Sequence, residues 1–367
     1  MIDDQFTLGV EEEYQIVDPE TRELKSYISR LLEDGKSVLR ERIRMEMHQS
    51  VVEVGTTICK NLAEVRSELV EMRGELNRLA EKGGLRIVAA STHPFSDWKA
   101  QEITNDARYH NIVHDLQDVA RANLIFGLHV HVGIKDKAVA LALTNQIRYF
   151  LPHLLALTTS SPFWMGRKTG LMSTRTQIFK RFPRTGIPDE FDSPEQLKNF
   201  VDLLVKTNCI DNGKRIWWDV RSHYLYDTVE VRICDMPTNM DHTIAIVALV
   251  QALMAKLYLM YRRNTAWRTY SRGLIEENKW RALRFSTDAQ MIDFGKREER
   301  PFLDLAHELV EFVDEAAQIF GTQNEVAKII DIVKNGTSAH TQVKIFEETK
   351  DLRSVVDWMM HETMKGI

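Results

Sequence analysis

In residues 7–17, TLGVEEEYQIV, apolar and polar positions alternate. Successive side chains of a strand point to opposite faces. The pleat sets Leu8, Val10, Glu12, Tyr14 and Ile16 on one face, and Thr7, Gly9, Glu11, Glu13 and Gln15 on the other. VDPETREL, residues 17–24, then carries a turn signal. A second strand is predicted over residues 44–54, RMEMHQSVVEV, ending at Gly55. Residues 61–82 set Leu62, Val65, Leu69, Met72, Leu76 and Leu79 at helical spacing, with Gly83-Gly84 as the stop. Residues 85–92, 124–134 and 227–237 read as further strands, the last closed by Pro237. A helix around 136–157 precedes a long polar stretch over 158–190. From about residue 241 the pattern is helical: 241–271, 274–283, 302–320, 323–334 and 351–364.

Strands first and helices later predict an α+β fold, with helices packed on one side of a largely antiparallel sheet. No linker rich in Pro, Gly or Ser separates the strand-rich part, 1–240, from the helical part, 241–367, so one domain over 1–367 is expected.

Composition narrows the function classes. The 367 residues hold 48 Lys+Arg against 53 Asp+Glu, a net charge of −5. Whole-chain attraction to nucleic acid or to an anionic membrane is therefore not expected. The three cysteines, Cys59, Cys209 and Cys234, are far apart and form no CxxC. That argues for a reducing compartment and against a disulfide framework or structural zinc. The acidic start, MIDDQFTLG, has no signal-peptide run, so a cytoplasmic location is expected. The apolar run 244–260 carries Gln251 and Lys256 and reads as a buried helix, not a membrane span.

The charges inside the strands carry the candidate chemistry. Glu11 and Glu13 lie about 7 Å apart on one face. Two carboxylates that close raise each other's pKa unless a cation sits between them. The alternative is a solvated sheet face. In FGLHVHVGI, His129 and His131 share a face between Gly127 and Gly133, a weak metal signal by itself. In TVEVRICDMP, Glu230 and Arg232 share a face and Asp235 follows: a cross-strand ion pair, or a metal ligand beside an anion clamp. Glu53 stands in the apolar QSVVEVG, where a lone acid is expensive to bury. Glu11, Glu13, Glu53 and Glu230 with His131 form an oxygen-rich set suited to Mg²⁺ or Mn²⁺. Carboxylate-held magnesium commonly meets phosphate, so a nucleotide substrate follows as a hypothesis. A buried ion network with Arg44 or Arg232 is the other reading of these glutamates. For Glu12, among apolar neighbours, a partner arginine on an adjacent element is expected.

The stretch 158–188 holds Arg167, Lys168, Arg175, Lys180, Arg181 and Arg184. It is either a cationic binding loop or a solvated basic one. There is no GxxxxGK[ST] and no GxGxxG.

At this point the chain resembles the type 2 glutamate–cysteine ligase family, and within it the YbdK-like carboxylate–amine ligases. The blocks that carry the resemblance are LGVEEEYQIVDP (8–19), STHPF (91–95) with Arg108-Tyr109, GLHVHVGI (127–134), SSPFWMGRKTGLMSTRTQIF (160–179), FPRTGIP (182–188), WWDVRSH (217–223), VEVRICDMPT (229–238), ENKWRA (277–282) and GTSAHTQ (336–342). They run in order along nearly the whole chain. The resemblance implies a glutamine-synthetase-like curved antiparallel sheet with helices on its outer side. It implies ATP-dependent joining of a carboxylate, typically the γ-carboxylate of glutamate, to an amine, typically that of cysteine, through an acyl phosphate. It implies ATP and Mg²⁺ (or Mn²⁺) as cofactors, with Glu11, Glu13, Glu53, His131 and Glu230 at the metals. Arg175 and Arg232 become catalytic, on phosphate or substrate carboxylate, with Arg167 beside them. Asn278, Trp280 and Arg281 become substrate-pocket residues. Small molecules are the expected partners, and a homo-oligomer is compatible. The matching blocks do not specify the amine. An ATP:guanidino phosphotransferase and a non-catalytic binding protein on the same fold are the rival readings.

Overall fold

The computed structural model describes residues 6–35 and 42–367. Its main sheet has seven strands: β1 (Leu8–Val17), β2 (Ile43–Met45), β3 (Val51–Gly55), β4 (Arg86–Val88), β5 (Leu128–Gly133), β6 (Val220–Ser222) and β7 (Thr228–Val231). The order is β6-β7-β5-β1-β3-β2, with β4 pairing the end of β1, and every pairing is antiparallel. β1 is the centre because its alternation suits a sheet with one wet face. Leu8, Val10, Tyr14 and Ile16 are buried against Val65, Leu69, Met72 and Leu76 of the helix Leu62–Lys82 and against the helix Met240–Arg262. The carboxylates take the opposite face. The α+β expectation, with helices on one side of an antiparallel sheet, describes this arrangement.

Glu12 is the intruder on the apolar face. It is fully buried and paired with Arg73 of the helix Leu62–Lys82, Oε1 to Nη2 2.5 Å. Arg73 also donates to the Tyr14 hydroxyl at 2.8 Å and to the carbonyls of Thr238 and Thr363. The adjacent-element arginine expected from the sequence is therefore present.

The helix Met240–Arg262 is, among the described residues, the one long and apolar enough to cross a membrane, and 83% of its most apolar window is buried inside the protein. Its polar residues are matched: Gln251 donates to the Phe6 carbonyl at 2.8 Å, and Lys256 pairs with Glu315 at 2.8 Å.

Several predicted elements divide. Residues 44–54 form not one strand but the hairpin of β2 and β3, with Arg44 opposite Glu53. The intervening turn is held by distant groups, His48 Nε2 on the Arg121 carbonyl at 2.8 Å and the Gln49 carbonyl on Tyr27 and Ile28 N–H. The predicted helix 136–157 is Lys137–Ile147 and Leu151–Thr158, parted by a 3₁₀ turn just before Pro152, which has no N–H to give. The predicted strand 227–237 leaves the ladder after Val231, where the N–H groups of Arg232 and Ile233 turn to the Asp219 carbonyl. The stretch 158–190 is ordered by a hairpin, Phe163–Trp164 with Arg167–Lys168, and by the helix Thr174–Phe179. The helices Ala107–Leu116, Pro194–Lys206 and Ser338–Thr349, and the hairpin Gln290–Asp293/Glu298–Pro301, are additional to the predicted elements.

Candidate active site

Strand register builds the site. Glu13 lies opposite Glu53, Glu11 opposite His129, and His131 opposite Glu230. Opposed residues share a face. The structure sorts the acids into two clusters, Glu11–His131–Glu230 and Glu13–Glu46–Glu53, each with ligand atoms within 4.8 Å of one another. Glu11 and Glu13, neighbours on one face of β1, thus belong to different clusters.

Glu46 is absent from the sequence-derived set. An unbroken strand would set positions 46 and 53 on opposite faces, because they are an odd number apart. The turn between β2 and β3 resets that parity and brings Glu46 to Glu53. Met45 and Met47 flank it in an apolar stretch, and that was the available signal.

The first cluster fits a cation on one observation above all. His131 Nε2 is buried without a hydrogen-bond partner among the described residues. It faces Glu11 Oε2 at 3.8 Å and Glu230 Oε1 at 4.0 Å, while Nδ1 sits 3.1 Å from Thr228 Oγ1. His129 Nδ1 is 3.3 Å from Glu11 Oε2. Arginines share the space. Arg221 Nε lies 2.6 Å from Glu230, and Arg232 is bonded to the same carboxylate. Against burial, Arg232 and Arg221 hold Glu230 well below the usual carboxylate range. Against burial, His129 and His131 beside it do the same for Glu11.

The second cluster is less neutralised. Arg44 Nη1 bridges Glu53 at 3.1 Å and Glu11 at 2.9 Å, and the Gly127 N–H donates to Glu13 at 2.6 Å. Arg44 is half-exposed and holds part of the ion network that the sequence also permitted. Burial, then the Glu53 charge, pushes Glu13 up to about 7. Burial, then the Glu13 charge, pushes Glu46 up to about 7. Burial, then Glu11 and Glu46, pushes Glu53 well above its ordinary value. Three carboxylates in mutual repulsion form a donor set for a hard divalent ion.

Arg175 and Arg232 line the same cavity of about 510 Å³ as Glu11, Glu13, Glu46 and Glu53. Arg175 donates to the carbonyls of Ile233 and Arg232, each at 3.2 Å, and lies 3.9 Å from Asp235. Asp235 is fixed by Ser160 N–H at 3.0 Å and by the hydroxyls of Ser161 and Ser173, each at 2.8 Å. Position 127 must be glycine for this arrangement, since a Cβ there would lie 2.4 Å from Arg175 Nη2.

Four expected site residues lie elsewhere. Arg167 is exposed on its hairpin and does not line the cavity. Asn278 is buried and clamps Ile292 through two backbone bonds of 2.8 Å. Arg281 holds the Gln290 carbonyl at 2.8 Å and Glu299 at 2.5 Å. The last two tie the helix Arg272–Phe285 to the neighbouring hairpin, so their motif has a packing role. Trp280 is half-exposed on that helix and does not line the cavity. Arg221 and His223, beside Glu230, were not singled out in advance.

The family description "Glutamate-cysteine ligase family 2(GCS2)" matches residues 7–357. The chain belongs to glutamate–cysteine ligase family 2. That membership makes it an enzyme of the carboxylate–amine ligase class. Family relatives named "Putative glutamate--cysteine ligase 2" include one from Sorangium cellulosum, 62% identical, covering 100% of this chain and 98% of its own. Another, from Chloroflexus aurantiacus, is 54% identical, with 99% and 93% covered. Among solved structures, the fold is similar to that of the glutamate–cysteine ligase of Francisella tularensis in complex with AMP. The TM-score is 0.69 at 13% identity, over 99% of this chain and 90% of that one. It is also similar to a bifunctional glutathione synthetase from Pasteurella multocida, TM-score 0.68 at 14% identity, over 99% and 53% of the two chains. These two likenesses show that a ligase of glutamate–cysteine ligase family 2 shares its architecture with proteins of very different sequence.

Proposed function

We propose that this ligase is ATP-dependent, activating a carboxylate as an acyl phosphate and passing the acyl group to an amine. One observation carries the reading. Two carboxylate clusters on one sheet face are flanked by two arginines, Arg175 and Arg232, whose buried Nε donors have no partner among the described residues. Unmatched buried donors are costly, and an anionic group arriving beside them would satisfy both.

Magnesium held by Glu11, His131 and Glu230, and by Glu13, Glu46 and Glu53, would neutralise phosphate charge and orient the transferring group. Arg175 and Arg232 would hold the phosphoryl oxygens or the substrate carboxylate. Asp235 keeps Arg175 from swinging away, and Gly127 admits it to the cavity. An oxygen of the acid, such as the γ-carboxylate of glutamate, bonds to the γ-phosphorus as its bond to the β-bridging oxygen breaks and ADP leaves. The amine nitrogen then bonds to the acyl carbon, the carbon–oxygen bond to phosphate breaks, and one N–H proton passes to water. Phosphoryl transfer of this kind needs positioning and charge more than a protein nucleophile, and these residues supply both.

The test is ADP release with purified protein, Mg²⁺-ATP, and acids and amines offered singly and in pairs. Release should require one of each. ADP formed with a guanidino compound alone would make the protein a phosphotransferase instead, and binding of ATP without turnover of any pair would make it a binding protein.

A further inference from the structure

The cavity has a second kind of wall. Ile112, Phe182 and Trp217 belong to a hydrophobic cluster separate from the main core, and all three line the cavity, together with Ile125 and Phe179. Phe182 meets Trp217 edge-on at 5.7 Å, and Phe179 lies 6.0 Å from Phe182. The Trp217 ring is fixed from behind. Its backbone pairs with Thr185, and the Arg184 guanidinium lies 5.7 Å from the ring. Asn123 Oδ1, on the same cavity, is buried with no hydrogen-bond partner among the described residues. An acceptor in that condition calls for an N–H or O–H donor.

Resting on the ligase reading above, we propose that this wall is the side-chain subsite of the acceptor amine, and that the amine carries an aromatic or branched apolar side chain bulkier than that of cysteine. The acid is consumed where carboxylate clusters and arginines meet the phosphate donor. Two groups could cover the apolar wall, the side chain of the amine and the adenine ring of the nucleotide. The wall is assigned to the amine, with an N–H directed at Asn123; a rise in the KM for ATP in the variants below would give the wall to adenine and overturn the proposal. A short thiol side chain covers little of this wall, whereas a benzyl or isobutyl group removes it from water. One methylene more or less in such a pocket changes specificity by roughly 10- to 200-fold.

The experiment compares cysteine, alanine, leucine and phenylalanine as amines, with glutamate and Mg²⁺-ATP, in wild type and in Trp217→Ala and Phe182→Ala. In wild type the KM for leucine or phenylalanine should lie at least about 10-fold below that for cysteine or alanine. Both variants should erase that difference and leave the KM for ATP unchanged. Preference for cysteine or alanine, or an equal rise in KM for every amine in the variants, overturns the proposal. If no acid–amine pair releases ADP, the ligase reading fails, and a binding measurement still decides the subsite. Phenylalanine amide is titrated with Mg²⁺ and a non-hydrolysable ATP analogue, following the fluorescence that is lost in Trp217→Phe. A saturable change supports the subsite, and no change overturns it.

Discussion

Glu46 and Glu12 are both acids among apolar neighbours, and they should respond oppositely to neutralisation. Glu46 is held against Glu13 and Glu53, and burial raises it to about 7, so its charge strains the metal-free fold. Glu46→Gln should lower divalent-dependent ADP release by about 100-fold or more, as expected for loss of a group that neutralises transition-state charge. It should leave the melting temperature at or above that of wild type. Steady-state kinetics and a thermal melt on the same preparation check both parts. Glu12 is instead paired with Arg73, and both are fully buried. Breaking one side of such a pair typically costs about 3–5 kcal/mol. Glu12→Gln and Arg73→Met should each show that loss in urea unfolding, while Glu12→Leu with Arg73→Met together should recover part of it.

At the scale of elements, the approach to β5 sets the anion clamp. Gly127 gives its N–H to Glu13, its carbonyl to the Glu13 N–H at 3.1 Å, and its missing Cβ to Arg175. Gly127→Ala should push the guanidinium aside and raise the KM for ATP by about 10-fold or more, the size of one lost charge-assisted contact. Far-ultraviolet circular dichroism should be unchanged. The elements also show why sequence reading succeeded unevenly. β1 and the helix Leu62–Lys82 were legible because each has one wet and one dry side, which periodicity records. β6, three residues long, exists only because β7 pairs with it. The helix Pro194–Lys206 sets Leu197, Phe200, Val201 and Leu204 at helical spacing, a signal present in the sequence but not singled out, although the helix buries no residue fully. Glu46 was hidden by a turn that His48 and Gln49 fasten to distant parts of the chain. Asn278 and Arg281 came from a matching block, and a block does not record which way its side chains point.

For the whole molecule, the carboxylate face links stability to pH and to divalent ions. Glu13 and Glu46, raised to about 7, stay protonated in the metal-free fold where the unfolded chain has already released those protons. Between about pH 4.5 and 7 these two groups hold more protons in the native state than in the unfolded one, so their own contribution to stability falls as pH rises. The loss is complete above the raised values. A divalent ion competes for the same oxygens and lifts the penalty, so Mg²⁺ should raise the melting temperature more at pH 8 than at pH 5.5. Scanning fluorimetry with and without Mg²⁺ at the two pH values checks this, and equal shifts would contradict it.

The ties between the ends of the chain have a consequence for its synthesis. β1 is made long before β5 and cannot pair with it until residue 133 is made. Thr363 supplies its hydroxyl to the Ala89 N–H at 2.9 Å and its carbonyl to Arg73 at 3.4 Å. The surroundings of the buried Glu12–Arg73 pair are therefore complete only once residue 363 is made. Long-range closure of this kind is slow. Until residue 133 is made, the edge of β1 that pairs with β5 is open, which makes the growing chain a client for holding chaperones.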